Sequence, residues 1–235
     1  MKKFDTENLG KTLSCEVGRK ILQAGMAVFA EKGYRGATVR DIVDRIGCSV
    51  SAVSLHYGSK EGLALAVVED LNRTLVLPVA NKPEEILSDY AWRVAVKRFV
   101  TQVVDLFTAQ EEPNRYLASL YRHESANLEG KAVTLHAKIV HPLFHALEGL
   151  VALGVADRDA VNVRLATLAL WNMAIAYALK HPNVLTEDVP AGIDPGLFRD
   201  MSIDYMVEKG LSGLHFVSSD ADSRTRNAAP TCLSR

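Results

Sequence analysis

Two groups of side chains in this 235-residue chain have the types and spacing to do chemistry. The first is a run of hydroxyls and one imidazole, Ser49, Ser51, Ser54 and His56, followed at Ser59 and Lys60 by a hydroxyl and a cation. On a helix made of small residues the backbone can approach base edges. Hydroxyls and histidine can donate or accept there, and Ala52 or Leu55 can touch a thymine methyl. Lys60 falls in a first helical turn, a poor place for a cation in the field of a helix. A phosphate would repair the mismatch, because backbone amides at a helix N-terminus bind anions. The second group is His141, His145 and Glu148, whose spacing of four and three residues puts them on one helix face, as metal ligands are often supplied. His136 is near in sequence, yet no cysteine or second carboxylate cluster completes a shell, so no metal is assigned. There is no G-x-S-x-G elbow, no phosphate-cradling glycine loop, no C-x-x-C pair and no H-E-x-x-H helix. No catalytic residue and no cofactor is assigned; a metal-responsive regulator or an all-helical metal-dependent enzyme using His141, His145 and Glu148 is the second reading.

The first group needs a rigid mount, and the flanking residues supply one. Thr38 can cap a short helix whose apolar positions Val39, Ile42, Val43 and Ile46 share a face, leaving Arg40, Asp41, Asp44 and Arg45 in water. Gly47 ends that helix and Ser49 can cap the next, Val50 to Tyr57. Helices separated by so tight a turn cross steeply, as in a helix-turn-helix whose second member lies in the major groove. Ahead of the pair, Glu16 to Lys32 carries Val17, Ile21, Leu22, Met26, Val28 and Phe29 as a first helix closed by Gly33. Behind it, Ser59 opens a fourth helix through Leu63, Val67 and Leu71 towards Leu77, where Pro78 is expected to stop it.

The run GATVRDIVDRIGCSVSAVSLHYGSKEGLALAVVE, preceded by ILQAGMAVFAEKGY, resembles the N-terminal domain of the tetracycline-repressor (TetR) family of transcriptional regulators. The likeness covers about Cys15 to Leu75. It rests on Phe29, Gly33-Tyr34, Thr38, Ile42, Gly47, Ser49, His56-Tyr57 and Ser59-Lys60-Glu61. It implies that Thr38, Val39, Arg40, Val50, Ser51, Ala52, Ser54, Leu55, His56 and Lys60 face DNA, and Ser49 and Tyr57 are counted with them. Ser54 stands where most members have a tyrosine, and Tyr57 where a phenylalanine is common, so no relative's operator sequence can be borrowed. The segment RYLASLYRHESANLEG further resembles a subgroup in which some members answer to fatty acyl or small lipophilic compounds.

Size and composition suit two unequal lobes. The chain is 48% hydrophobic with net charge −1. Residues 1 to 65 hold ten Lys or Arg against seven Asp or Glu, and the remainder seventeen against twenty-one. A mildly basic front on a mildly acidic body suits a DNA-binding head on a body that does not touch DNA. Cys15, Cys48 and Cys232 show no paired spacing, which argues for a reducing, cytoplasmic setting, and no apolar run approaches membrane-spanning length.

Four segments are expected: a flexible arm at 1–14, the helix-turn-helix domain at 15–75, a helical effector-binding and dimerisation domain at 76–213, and a disordered tail at 214–235. The fold class is all-α. In the larger lobe, helices are expected from Pro83 to about Gln110, Pro113 to Leu128, Lys131 to Leu153, Asp157 to Lys180 and Asp194 to about Gly213. VNVRLATLALWNMAIAYAL, Val161 to Leu179, is apolar around nearly its whole circumference. One side can face the core, and the other needs a partner, most simply the same helix of a second copy. A homodimer through helices around 160–180 and 196–212 follows, with Leu197, Phe198, Met201, Ile203, Tyr205, Met206 and Leu211 contributing. The implied partners are a double-stranded, near-palindromic DNA operator and a small effector, lipophilic or acyl. Trp92, Phe99, Phe107, Tyr121, Trp171 and Tyr177 are candidate effector contacts, although an aromatic stripe at helical spacing is more often core. Arg122, His123 and Glu124 could anchor an effector head group, with a solvated helix face as the commoner arrangement.

Overall fold

The computed structural model describes residues 6–80, 88–126, 131–155, 160–179 and 189–214, with side chains from residue 16 onward in the first helix and from residue 134 in the helix that begins at Lys131. Every element among them is helical: α1 (Thr6–Gly36), α2 (Val39–Ile46), α3 (Val50–Tyr57), α4 (Lys60–Leu71), a π-helical turn (Asn72–Val76), α5 (Leu77–Ala80), α6 (Asp89–Thr108), α7 (Asn114–Ser125), α8 (Lys131–Gly154), α9 (Ala160–Leu179) and α10 (Pro195–Gly210). The expected starts near Pro83 and Asp157, residues 1–5 of the expected arm, residues 180–188 and the tail beyond Leu214 lie outside the described residues.

Contacts divide the chain into two compact units, one of residues 1–78 and 107–142, the other of residues 79–106 and 143–235. In the first, α1 is the central strut, with α2, α3, α4 and α7 packed on it. Ile21, Phe29, Ile42, Val53, Leu63, Val67, Leu71 and Leu117 are buried there. α1 starts at Thr6, ahead of the expected Glu16, so residues 6–14 are helical rather than an irregular arm. Their sequence, TENLGKTLS, has one glycine and no proline, and nothing in it obstructs the ladder. The helical path of α1 breaks at Gly33, whose φ of 68° and ψ of 170° suit glycine. A side chain there would also come within 3.1 Å of the His123 Cβ on α7.

Pro78 does not stop the fourth helix. The ladder widens first, with the Leu77 amide reaching back five residues to the Asn72 carbonyl, and helix continues to Ala80. Proline cannot donate and crowds the carbonyl four residues behind it, so a π turn immediately ahead gives the backbone room. Asn72, at the head of that turn, donates through Nδ2 to the Lys138 carbonyl of α8 at 2.9 Å.

In the second unit, Trp92, Val96 and Val100 of α6, Leu143, Leu147 and Val151 of α8, Leu170 and Ala174 of α9 and Ile203 of α10 form the core. Ser88 caps α6, accepting from the Ala91 amide at 3.1 Å, and Asp194 caps α10, accepting from the Leu197 amide at 3.0 Å. α9 packs against α10. Of the α10 residues expected at an interface, Ile203, Met206 and Leu211 are buried within the protomer. Leu197, Met201 and Tyr205, four residues apart, form an exposed stripe. On α9, Val163, Ala166, Leu170, Trp171 and Ala174 face inward while Val161, Leu165 and Leu168 are exposed.

Candidate nucleic-acid interface

The mount of α2 is the one its sequence spells. Thr38 accepts from the Asp41 amide through Oγ1 at 3.1 Å, and Asp41 Oδ2 accepts from the Thr38 amide at 2.8 Å, a reciprocal capping box. Asp41 also pairs with Lys32 of α1 at 2.7 Å, and Arg45 pairs with Glu31 at 2.7 Å, so both ends of α2 are tied to the strut. The Lys32 ammonium and the Thr38 hydroxyl lower the Asp41 pKa from 3.8 to about 2. Because the folded pKa lies below the ordinary one, the cap is fully effective above about pH 4 and is lost as pH falls through about 2. NMR titration of the Asp41 carboxyl should give a midpoint near 2 that rises in Lys32→Ala and Thr38→Ala; an ordinary midpoint in the unaltered protein contradicts the assignment.

Gly47, with φ 66°, ends α2 in the left-handed conformation, its amide reaching the Val43 carbonyl. Ser49 occupies the N-cap position of α3 but its side chain makes no capping bond there. It pairs instead with the Ser51 hydroxyl at 2.8 Å, which corrects the expectation for Ser49. Eight residues make α3, and they divide cleanly by face. Val53 is buried, and His56 and Tyr57, three and four residues on, turn the same way. The His56 ring packs over Gly18 of α1, where an added Cβ would come within 3.2 Å of Nδ1, and the Tyr57 hydroxyl donates to the Gly18 carbonyl at 2.7 Å. His56 and Tyr57, expected among the DNA-facing residues, both lie half-buried against α1. The outward face of α3 is Val50, Ser51, Ser54 and Leu55, with Ala52 half-buried beside it. Thr38 and Arg40 of the neighbouring helix are exposed, and Val39 is half-buried.

At the start of α4, Ser59 caps as expected, accepting from the Gly62 amide at 3.1 Å. Lys60 is half-buried, its Nζ 4.6 Å from the centre of the Tyr34 ring. Desolvation lowers its pKa, and the Asp41 and Glu124 carboxylates partly oppose that. A cation at a helix N-terminus thus sits over an aromatic face, with two carboxylates favouring its charged form. Glu124, read in sequence as an effector anchor or part of a solvated helix face, is instead 2% exposed, and its Oε1 accepts from the Tyr34 amide at 2.9 Å. Beside it, the Ser119 hydroxyl donates to the Ala30 carbonyl at 2.7 Å. α7 therefore grips the end of α1 where the chain turns into α2. The missed signal is periodicity: Glu124 falls three, four and seven residues after Tyr121, Leu120 and Leu117, on the buried stripe of α7. Arg122 is exposed, and His123 is half-buried against Gly33.

Of the six aromatics considered for an effector, five are buried core residues and Tyr177 is half-buried, and they fall in two different units. Phe107 and Tyr121 belong to the first, their rings 5.1 Å apart, with His136 4.9 Å from Tyr121. Burial raises the Tyr121 pKa and, with His141, lowers that of His136. Trp92, Phe99, Trp171 and Tyr177 belong to the second. Trp92 is fully buried and donates to the Leu150 carbonyl at 3.0 Å; Trp171 meets Phe144 edge-on at 6.0 Å; Tyr177 is half-buried. Of the metal candidates, Glu148 is held by Arg164 at 2.7 Å, which chiefly lowers its pKa, with His145 at 3.4 Å adding to the effect. Among the described residues no group of three or more His, Cys, Asp and Glu is placed to hold a metal ion. No helix among them is long and apolar enough to cross a membrane.

Residues 21–67 match the family model described as "Bacterial regulatory proteins, tetR family". The chain is 26% identical over 188 residues to the HTH-type transcriptional dual regulator CecR of Shigella flexneri, covering 76% of this chain and 83% of that protein. It is 38% identical over 72 residues to the HTH-type transcriptional repressor AcnR of Corynebacterium diphtheriae, covering 30% of this chain and 38% of that one. The crystal structure of the transcriptional regulator FadR from Bacillus subtilis, in complex with stearoyl-CoA, shares the fold with a TM-score of 0.56 at 14% identity, covering 84% of this chain and 99% of that one. A capped helix-turn-helix with an outward-facing second helix lies within the residues that match the tetR family model, so residues 21–67 are a helix-turn-helix domain of the TetR type, in a chain similar to transcriptional regulators over most of its length.

Proposed function

We propose that the protein is a repressor that binds a near-palindromic operator as a homodimer and is released by a small effector. The observation that carries the reading is the outward row of α3, Val50, Ser51, Ser54 and Leu55, flanked by exposed Arg40 and by Lys60 at the capped start of α4. Such a row is shaped for base edges, and its flanks for phosphates. Residues 15–75 form the DNA-binding part and 76–213 the effector and dimerisation part. The exposed stripes Val161, Leu165 and Leu168 on α9 and Leu197, Met201 and Tyr205 on α10 support a four-helix interface with a second copy. Two heads about 34 to 36 Å apart then meet successive major grooves.

The effector is a lipophilic or acyl compound, a class suggested by the acyl-CoA bound in FadR. It acts by changing the separation of the heads, and a coupling of about 1 to 3 kcal/mol changes operator affinity 5- to 150-fold. Acting on DNA, the dimer works in the cytoplasm. Selection of a duplex from random DNA by the full chain, followed by a salt titration, tests the reading. Two protomers should bind one duplex with affinity that falls steeply with salt. Lys60→Ala should reduce the salt slope by about 1 per lost phosphate contact, about 2 per dimer, while sequence preference stays the same. Recovery of no preferred duplex would remove the operator from the account.

A further inference from the structure

We infer that α3 reads its operator through thymine methyl groups, with Leu55 as the principal reader and Val50 as its neighbour. The inference rests on the proposed DNA-binding role of α3 and narrows what that helix recognises. α3 has the sequence VSAVSLHY, with no Arg, Lys, Asn, Gln, Asp or Glu. The bidentate pairings that specify guanine and adenine, and the carboxylate contact to cytosine, therefore cannot come from this helix.

The polar groups that remain are mostly engaged within the protein. Tyr57 donates to the Gly18 carbonyl, His56 packs over Gly18, and the Ser51 hydroxyl pairs with that of Ser49 at 2.8 Å. What projects furthest is apolar: Leu55 is 80% exposed and Val50 53%. Val50 and Ser54 form one i, i+4 row and Ser51 and Leu55 the next, so each apolar tip has a hydroxyl-bearing neighbour on the same face. In a major groove, the C5-methyl of thymine is the feature such tips can recognise. Arg40, exposed on α2, remains for a guanine or a phosphate beside them.

Replacing each thymine of the selected operator by uracil, which lacks only that methyl, tests the inference directly. At one or two positions in each half-site, uracil should weaken binding of the unaltered protein about fourfold, and about fifteenfold when the symmetric positions of both half-sites are changed. In Leu55→Ala the sensitivity should vanish at its position, thymine and uracil operators binding alike. Persistence of the uracil effect in Leu55→Ala would trace it to DNA shape and overturn the assignment. Val50→Ala, scanned in parallel, should abolish sensitivity at an adjacent position. Because Leu55 projects into solvent, its truncation leaves the fold intact, which circular dichroism checks. Tight, salt-dependent binding that tolerates uracil within twofold throughout overturns the inference and leaves the regulator reading standing; absence of any preferred duplex overturns both.

Discussion

Leu165→Glu should leave the protomer folded but monomeric, and operator binding should fall by about 10²- to 10⁴-fold. Leu165 is 59% exposed near the middle of the apolar stripe of α9, so its replacement removes nothing from the protomer's core. In a twofold interface the substitution occurs twice, and each carboxylate enters an apolar contact where it is desolvated without a partner. Two joined readers gain affinity because the second half-site is met at high effective concentration, and a monomer forfeits that gain. Sedimentation equilibrium gives the oligomeric state and fluorescence anisotropy the affinity, and Met201→Glu on α10 should act alike. A variant that stays dimeric with unchanged DNA binding would move the interface elsewhere on the molecule.

Gly154→Ala is the most damaging single methyl the structure offers in the second unit. A Cβ at this position would lie 2.0 to 2.2 Å from three atoms of the Trp92 indole, far inside contact distance. The indole has nowhere to retreat: it is fully buried, and its Nε1 donates to the Leu150 carbonyl, one turn earlier on the same helix. Overpacking of a close-packed core ordinarily costs about 1 to 3 kcal/mol, and a clash with an anchored ring belongs at or above the upper end. For a chain of this size that lowers Tm by about 6 to 12 °C. Pairing the change with Trp92→Leu should recover part of the loss, because the smaller side chain leaves room for the methyl. Calorimetry of the two single variants and the double variant reads the coupling; strictly additive losses would mean the ring and the methyl do not meet.

Where local rules determine structure, the sequence was readable. Thr38 and Asp41 form their capping box, Gly47 takes the left-handed conformation, and Ser59 and Asp194 cap their helices, because each needs only neighbours in the chain. Ser49 looks the same in sequence but has Ser51 within reach, and the two hydroxyls satisfy each other. Pro78 is a reliable stop in a regular helix, and the π turn before it changes the ladder it would have broken. The helix-turn-helix was legible in outline, and the packing of α3 on α1 was not. Which side of α3 faces out depends on Gly18, almost forty residues earlier, whose missing side chain admits the His56 ring. The effector aromatics illustrate the converse limit: helical spacing places Trp92 or Tyr121 on a buried face, but the same spacing serves a packed core and a cavity wall.

On the proposed reading of α3 as the DNA reader, its division between an inward face held to α1 and an outward face of four residues separates fold from recognition. Exposed substitutions at Val50, Ser51, Ser54 or Leu55 change stability by about 0.5 kcal/mol or less, since none supports the core. Descendants of this chain can therefore drift from one target to another through these positions while retaining the same scaffold. A duplicated copy would acquire a separate regulon without first having to be stabilised.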